Sequence, residues 1–184
     1  QQIAQTLTLE YSDAVFIGEI ALAAHAMGLG VNFHEAAHDA ELCISLPGKA
    51  AMRDRFEVRR TPQLGKDTVL VEGEDIDLYV EHQHSLGIRY AGIFAFSEDV
   101  VGIRVAALEH LLILKLDAAQ GRWGSTQSEK DMRDVARIVS LMDHPRVKLL
   151  SSYLDTERME TLDRVLRRND LSSGHELNPN VGRR

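Results

Sequence analysis

His34-Glu35-Ala36-Ala37-His38 sets two histidines four residues apart around a glutamate. On a helix both imidazoles share one face and could bind one zinc ion, with Glu35 as the general base of a hydrolase. Directly after it, Asp39-Ala40-Glu41 places two carboxylates at i and i+2, which project from one face of a strand. Asp77, in Asp75-Ile76-Asp77-Leu78, offers a third acid from a neighbouring strand. Three converging carboxylates suit a pair of Mg²⁺ ions that polarise a phosphate and activate an attacking oxygen. The two readings need different backbones. Zinc requires a helix from residue 33 onward, whereas the paired acids require a loop and then a strand. Leu42, Ile44 and Leu46 alternate with Glu41, Cys43 and Ser45, a period of two that favours the strand. Eight histidines in the chain also make a chance match to the zinc pattern easy.

These acids need a sheet to carry them. Asp13–Ile17 reads as a short buried strand ending at Gly18, followed by an alanine-rich helix from Ile20 to Met27 that Gly28 and Gly30 stop. Residues 1–12 show little periodic signal. After the acidic strand, Pro47-Gly48 is a break and Lys49–Phe56 a short charged helix. Thr68–Val71 and Ile76–Val80 read as strands joined by a hairpin turn at Glu72-Gly73-Glu74. Ile93–Phe96 and Val100–Ile103 read as two further strands. From Val105 to Ala119 the chain is helical and nearly apolar all round. Ser128 with Asp131 resembles a capping box opening a helix striped by Met132, Val135, Ala136, Val139 and Met142. Two more helices follow Pro145, and residues 169–184 have the composition of a frayed tail.

Lys115 follows Leu111 and Leu112 on the apolar helix, so its charge must snorkel to water or meet an anion, either a triphosphate or a structural carboxylate. Lys130 and Asp134, four apart, read as a surface pair before they read as part of a site. Arg53, Arg55, Arg59 and Arg60 could bind a nucleic-acid acceptor, but Asp54 and Glu57 interleave them and favour a solvated face.

Taken in order, these segments resemble the nucleotidyltransferase fold of the DNA polymerase beta-like superfamily, in particular the small bacterial nucleotidyltransferases of abortive-infection and toxin–antitoxin systems. Phe16 to His25 is similar to the element that receives the nucleotide phosphates at Gly18. Asp39 and Glu41 match the metal-binding pair, and Asp77 the third acid. Lys115 and the stretch Glu129-Lys130-Asp131-Met132-Arg133-Asp134 look like the lysine helix and the helix that follows it. The resemblance implies transfer of a nucleoside monophosphate from an NTP to an acceptor, with Mg²⁺ as a two-metal cofactor. Asp39, Glu41 and Asp77 would be the catalytic and metal-binding acids. Gly18, Glu19, Lys115 and Lys130 would face the nucleotide. It also implies an RNA or protein acceptor and an antitoxin-like partner. One departure stands out. Glu19 occupies the place where the family has a second small residue, which favours the alternative of an inactive binding module with the same fold.

The whole chain is consistent with an α/β (α+β) protein: a mixed β-sheet flanked by helices over residues 1–104, a helical lobe over 105–168, and a flexible tail. Its 184 residues are enough for a sizeable core. A net charge of −7 argues against a broadly basic nucleic-acid binder but leaves room for a local basic surface. One cysteine, Cys43, excludes a disulfide framework and a four-thiolate zinc site. With no apolar run long enough for a membrane span and no signal-peptide pattern, a cytoplasmic location is expected.

Overall fold

The computed structural model describes residues 1–31 and 40–173. The zinc-type motif of His34, Glu35 and His38, and the first acid of the pair, Asp39, lie outside the described residues.

Seven strands form one mixed sheet: β1 (Val15–Ile17), β2 (Ala40–Ile44), β3 (Glu57–Thr61), β4 (Lys66–Val71), β5 (Glu74–Val80), β6 (Glu98–Val100) and β7 (Ile103–Val105). Their order across the sheet is β3-β4-β5-β2-β1-β7-β6. The strands β2 and β5 run parallel, β1 and β2 antiparallel. Helices fill the intervals: α1 (Gln2–Glu10), α2 (Gly18–Gly28), α3 (Leu46–Arg53), α4 (Tyr90–Ala95), α5 (Leu108–Gly121), α6 (Thr126–Leu141), α7 (Val147–Ser151) and α8 (Thr156–Ser173). The mixed sheet with flanking helices is the architecture expected from the alternation of segments. Helix α2 packs on β1, β2 and β7, and α5 and α6 contact it in turn. Among the described residues, no helix is long and apolar enough to cross a membrane.

The core joins Phe16, Leu42, Ile44, Ile76 and Leu78 of the sheet to Ala21 and Leu22 of α2 and Leu112 and Leu116 of α5, all buried. Three or four methylene-rich side chains of this kind contribute about 1.5–3 kcal/mol each on full burial, so α2 is anchored by its apolar face despite its small residues.

Several expectations from the sequence need correction. Residues 2–10 form a helix, α1, whose buried residues are only Ala4 and Leu7, so its hydrophobic period is weak. Its polar residues instead bind neighbouring backbone, Gln5 donating to the Val101 carbonyl at 2.9 Å and Thr8 accepting from Arg104 N–H at 3.1 Å. Ile93–Phe96 is not a strand. It belongs largely to α4, where Tyr90 and Phe94, four apart, stack with centroids 5.8 Å apart. A four-residue apolar run carries no period long enough to separate the two structures. Val100–Ile103 is not one strand but the turn of the β6–β7 hairpin. Val101 and Gly102 both have positive φ, 46° and 78°, the two-residue turn that matches strand twist. Pro47 begins α3 instead of breaking the chain, with Ser45 as the cap accepting from Gly48 N–H. The strand β3 pairs with β4 although its residues are mostly exposed, so alternation is weak there. Helix α6 is capped by Ser125, not Ser128, whose hydroxyl donates to the buried Ala119 carbonyl. Helix α8 runs on to Ser173, into the stretch whose composition suggested a tail.

His110, in the first turn of α5, has no exposed surface. It stands edge-on between Phe96 and Tyr153, at 5.8 and 5.7 Å. Neither ring nitrogen has a hydrogen-bond partner among the described residues. Burial, assisted by the nearby Arg146 charge, pushes its pKa down to about 4. Between that value and the ordinary 6.5 the unfolded chain binds this proton and the folded chain does not, so stability rises with pH through the window and falls on acidification. The His110→Leu protein should therefore lose less melting temperature than the parent on going from about pH 6.5 to about pH 4. Equal losses in thermal melts of the two proteins would contradict this origin.

Candidate active site

Strand register brings the acids together. Glu41 is the Cα partner of Asp77 on one side and of Ile17 on the other. Residues directly opposite on neighbouring strands point to the same face, their Cβ atoms about 5 Å apart. Gly18 follows Ile17 at once, with φ +64°, and begins α2. A Cβ on Gly18 would collide with the Glu41 carboxylate. Glycine is therefore needed there twice over, for its left-handed backbone and for the acid that lies against it. The two described acids of the expected trio thus sit at the mouth of a helix whose first N–H groups have no side-chain cap.

Above the acids lies a cleft of about 780 Å³ between the sheet and helices α5 and α6, lined by Glu19, Glu41, Lys66, Asp77, Lys115 and Arg122, among others. A smaller apolar-walled pocket of about 250 Å³ joins it, with Gly18, Leu86, Leu111 and Leu114 in its wall. Glu41, Lys115 and Arg122 border both. Asp77 is paired with Lys66 of β4. Tyr79, two residues on from Asp77, has its phenol pKa raised by burial and by the Glu41 and Asp77 charges.

Glu19 does not block the cleft as a bare negative charge: it pairs with Lys130 of α6. Lys130 therefore reaches the site through Glu19, and its reading as a surface partner of Asp134 is corrected. Asp134 instead lies 2.8 Å from the Lys115 ammonium, and Asp131 lies 3.6 Å from it. Arg122 approaches Asp131 at 3.4 Å. Both aspartates are almost fully buried, and neither Asp131 oxygen accepts a hydrogen bond among the described residues. Burial works against the Lys115 charge, but Asp134, Glu41 and Asp131 outweigh it and hold its pKa above the ordinary value. Burial conversely raises the Asp131 pKa, with Lys115 and Arg122 opposing.

Gly18, Glu19, Glu41, Asp77 and Lys115 are thus gathered at one place, and Lys130 at its rim. Their number leaves the chemistry legible: hard oxygen donors at the sheet, cations at the helices. Glu41 and Asp77 fit a hard divalent cation such as Mg²⁺ by donor type, and the Lys66 ammonium on Asp77 shows that the pair attracts positive charge. Among the described residues no cluster of three His, Cys, Asp or Glu side chains could hold a metal by itself. Sequence reasoning missed Lys66 and undervalued Asp131 and Asp134. One signal was available: Ser128, Asp131, Val135, Ile138 and Leu141 are all buried and continue a single helical stripe, so its acids had to face inward.

Of the arginines around α3 and β3, Arg55 pairs with Glu10 and Arg59 with Asp75. His25 serves packing: it is buried, its Nε2 2.9 Å from the Ala106 carbonyl oxygen.

Removing one partner of a buried ion pair strands the other, at a cost of about 3–5 kcal/mol. Asp134→Ala should therefore lower the urea midpoint clearly, whereas Lys130→Ala, at the half-exposed rim, should shift it little. Similar shifts in urea titrations would show that Lys115 does not depend on Asp134.

No family model and no curated protein sequence matches the chain. Solved structures do. An antigenic nucleotidyltransferase-like protein from Paracoccidioides brasiliensis superposes with a TM-score of 0.59 at 17% identity, over 94% of this chain and 89% of that one. The polyadenylate synthase of Megavirus superposes with a TM-score of 0.53 at 9% identity, over 79% of this chain and 32% of that one. With its sheet order, its helix starting at Gly18 and its acids on adjacent strands, the chain has the fold of the nucleotidyltransferase superfamily.

Proposed function

We propose that this protein is a nucleotidyltransferase that moves a nucleoside monophosphate from an NTP to an acceptor and releases pyrophosphate. The observation that carries this reading is the register of β2 with β5, which sets Glu41 opposite Asp77 beside the bare backbone of Gly18. Anionic phosphates suit the start of α2, where uncapped N–H groups and the helix dipole favour negative charge. Lys115 keeps its charge throughout the neutral range and would neutralise the phosphate tail, exchanging part of its contact with Asp134 for the ligand. Lys130 would keep the Glu19 charge away from that tail. Asp77, at the cleft wall, would accept the proton of an acceptor hydroxyl at its carboxylate oxygen. Divalent ions held by Glu41 and Asp77, with Asp39 as the third acid, would supply Lewis-acid stabilisation of the transferred phosphate. The adjoining pocket, with Leu86, Leu111 and Leu114 in its wall, would take the nucleoside.

Incubation with each NTP, Mg²⁺ and extracts supplying RNA and protein acceptors should release pyrophosphate and label one acceptor class. Asp77→Ala should reduce release about 100-fold or more, the usual loss for a group that stabilises developing charge. Lys115→Met should weaken NTP binding, measured by calorimetry. Failure of every NTP to bind in the presence of Mg²⁺ or Mn²⁺ would overturn the transferase reading in favour of a binding module without turnover.

A further inference from the structure

The turn between α5 and α6 carries the chain's only tryptophan, Trp123, 45% exposed. The Arg164 guanidinium carbon lies 4.3 Å from its ring centroid, and that of Arg168, one helical turn along α8, lies 6.0 Å away. Arg122 comes immediately before Trp123 and lines the cleft that holds Glu41 and Asp77. A large indole beside the opening, flanked by guanidinium planes, is an unusual use of exposed surface on a protein of net charge −7.

The cations near it are held in different ways: Arg122 lies 3.4 Å from Asp131, and Arg168 contacts both the indole and the Met132 sulfur. Arg55, Arg59, Arg146 and Arg158 are each bonded to carboxylates. Arg164 is exposed and has no carboxylate partner among the described residues, its contact being with the indole. An aromatic face accepts stacked bases regardless of sequence, and guanidinium groups both stack and bind phosphate oxygens. We propose that Trp123, Arg164, Arg168 and Arg122 form a docking platform for a single-stranded polynucleotide whose end enters the cleft. The inference rests on the transferase reading for what happens at that end, and adds the chemical class of the acceptor. A polyanion complements this cationic corner, whereas Arg55 and Arg59, near α3 and β3, are already paired with acids. The platform also meets the cleft directly, because Arg122 and Trp123 are consecutive residues.

The sole tryptophan makes the test direct. Titrating the protein, without any NTP, with a short single-stranded RNA of mixed sequence should quench Trp123 fluorescence to saturation. The same sequence as a duplex should quench it less, and inorganic polyphosphate should not quench it. In anisotropy titrations with labelled RNA, Trp123→Ala and Arg164→Ala should each weaken binding about tenfold. Trp123→Phe, which keeps a stacking ring, should recover part of that loss and guards against a folding defect. Absence of quenching, an equal response to polyphosphate, or unchanged affinity in Trp123→Ala would each overturn the proposal, the last leaving Trp123 as a clamp that fastens α8. The two readings fail separately. Quenching without NTP binding would remove the transferase, whereas NTP binding without an RNA response would remove the platform.

Discussion

Charge balance inside one cleft governs this protein. Glu19, Glu41, Asp77 and Asp131 all border the same space, and Asp134 lies just beneath it. Carboxylates so close repel one another and are costly to desolvate, so each requires a cation at hand. The cations come from different elements: Lys66 from β4, Lys115 from α5, Arg122 from the turn after it, and Lys130 from α6. Compensation is thereby also tertiary assembly. The Lys130–Glu19 pair ties α6 to the start of α2, and the Lys115–Asp134 pair ties α5 to α6.

Gly18 is the pivot of that arrangement. The left-handed backbone at residue 18 turns β1 directly into α2, and the missing Cβ leaves room for the Glu41 carboxylate. The acid and the uncapped helix N-terminus can then share one small volume. The same economy appears on the far side of α5. There Glu109, although burial opposes its charge, is held down to about 2 by side-chain and backbone hydrogen bonds from Arg146. Arg146 donates to it at 2.6–3.0 Å and also reaches Glu98, joining the loop before α7 to β6 and α5. In both places a buried carboxylate fixes a junction between segments distant in sequence.

The resemblance to solved nucleotidyltransferase folds concerns shape, at identities of 17% and below. What this chain adds is its own side-chain solution. Beside Gly18, the Glu19 carboxylate is neutralised by Lys130, a residue 111 positions later. A charge that looks prohibitive in a one-dimensional pattern can thus be accommodated once a helix from the other half of the chain arrives beside it.

Much of this was legible in the amino-acid order. The alternation from residue 40, the β-branched runs around 70 and 78, and the apolar helix bearing Lys115 all reflect local periodicity, which the chain expresses before it folds. Those features determined the acidic strands, the α2 helix after Gly18 and the mixed α+β class. The short elements were not determined in this way, because α1, α4 and β3 bury too little surface for their residues to show a period. Partners were beyond local reach as well. Lys130 meets Glu19 and not Asp134 because α6 packs beside α2, and Asp131 and Asp134 turn inward because α5 and α6 pack face to face. Sequence spacing set which residues could share a face; the packing of α2, α5 and α6 against one another decided which charges met, since electrostatic pairing depends on distance in space and on the water excluded around it.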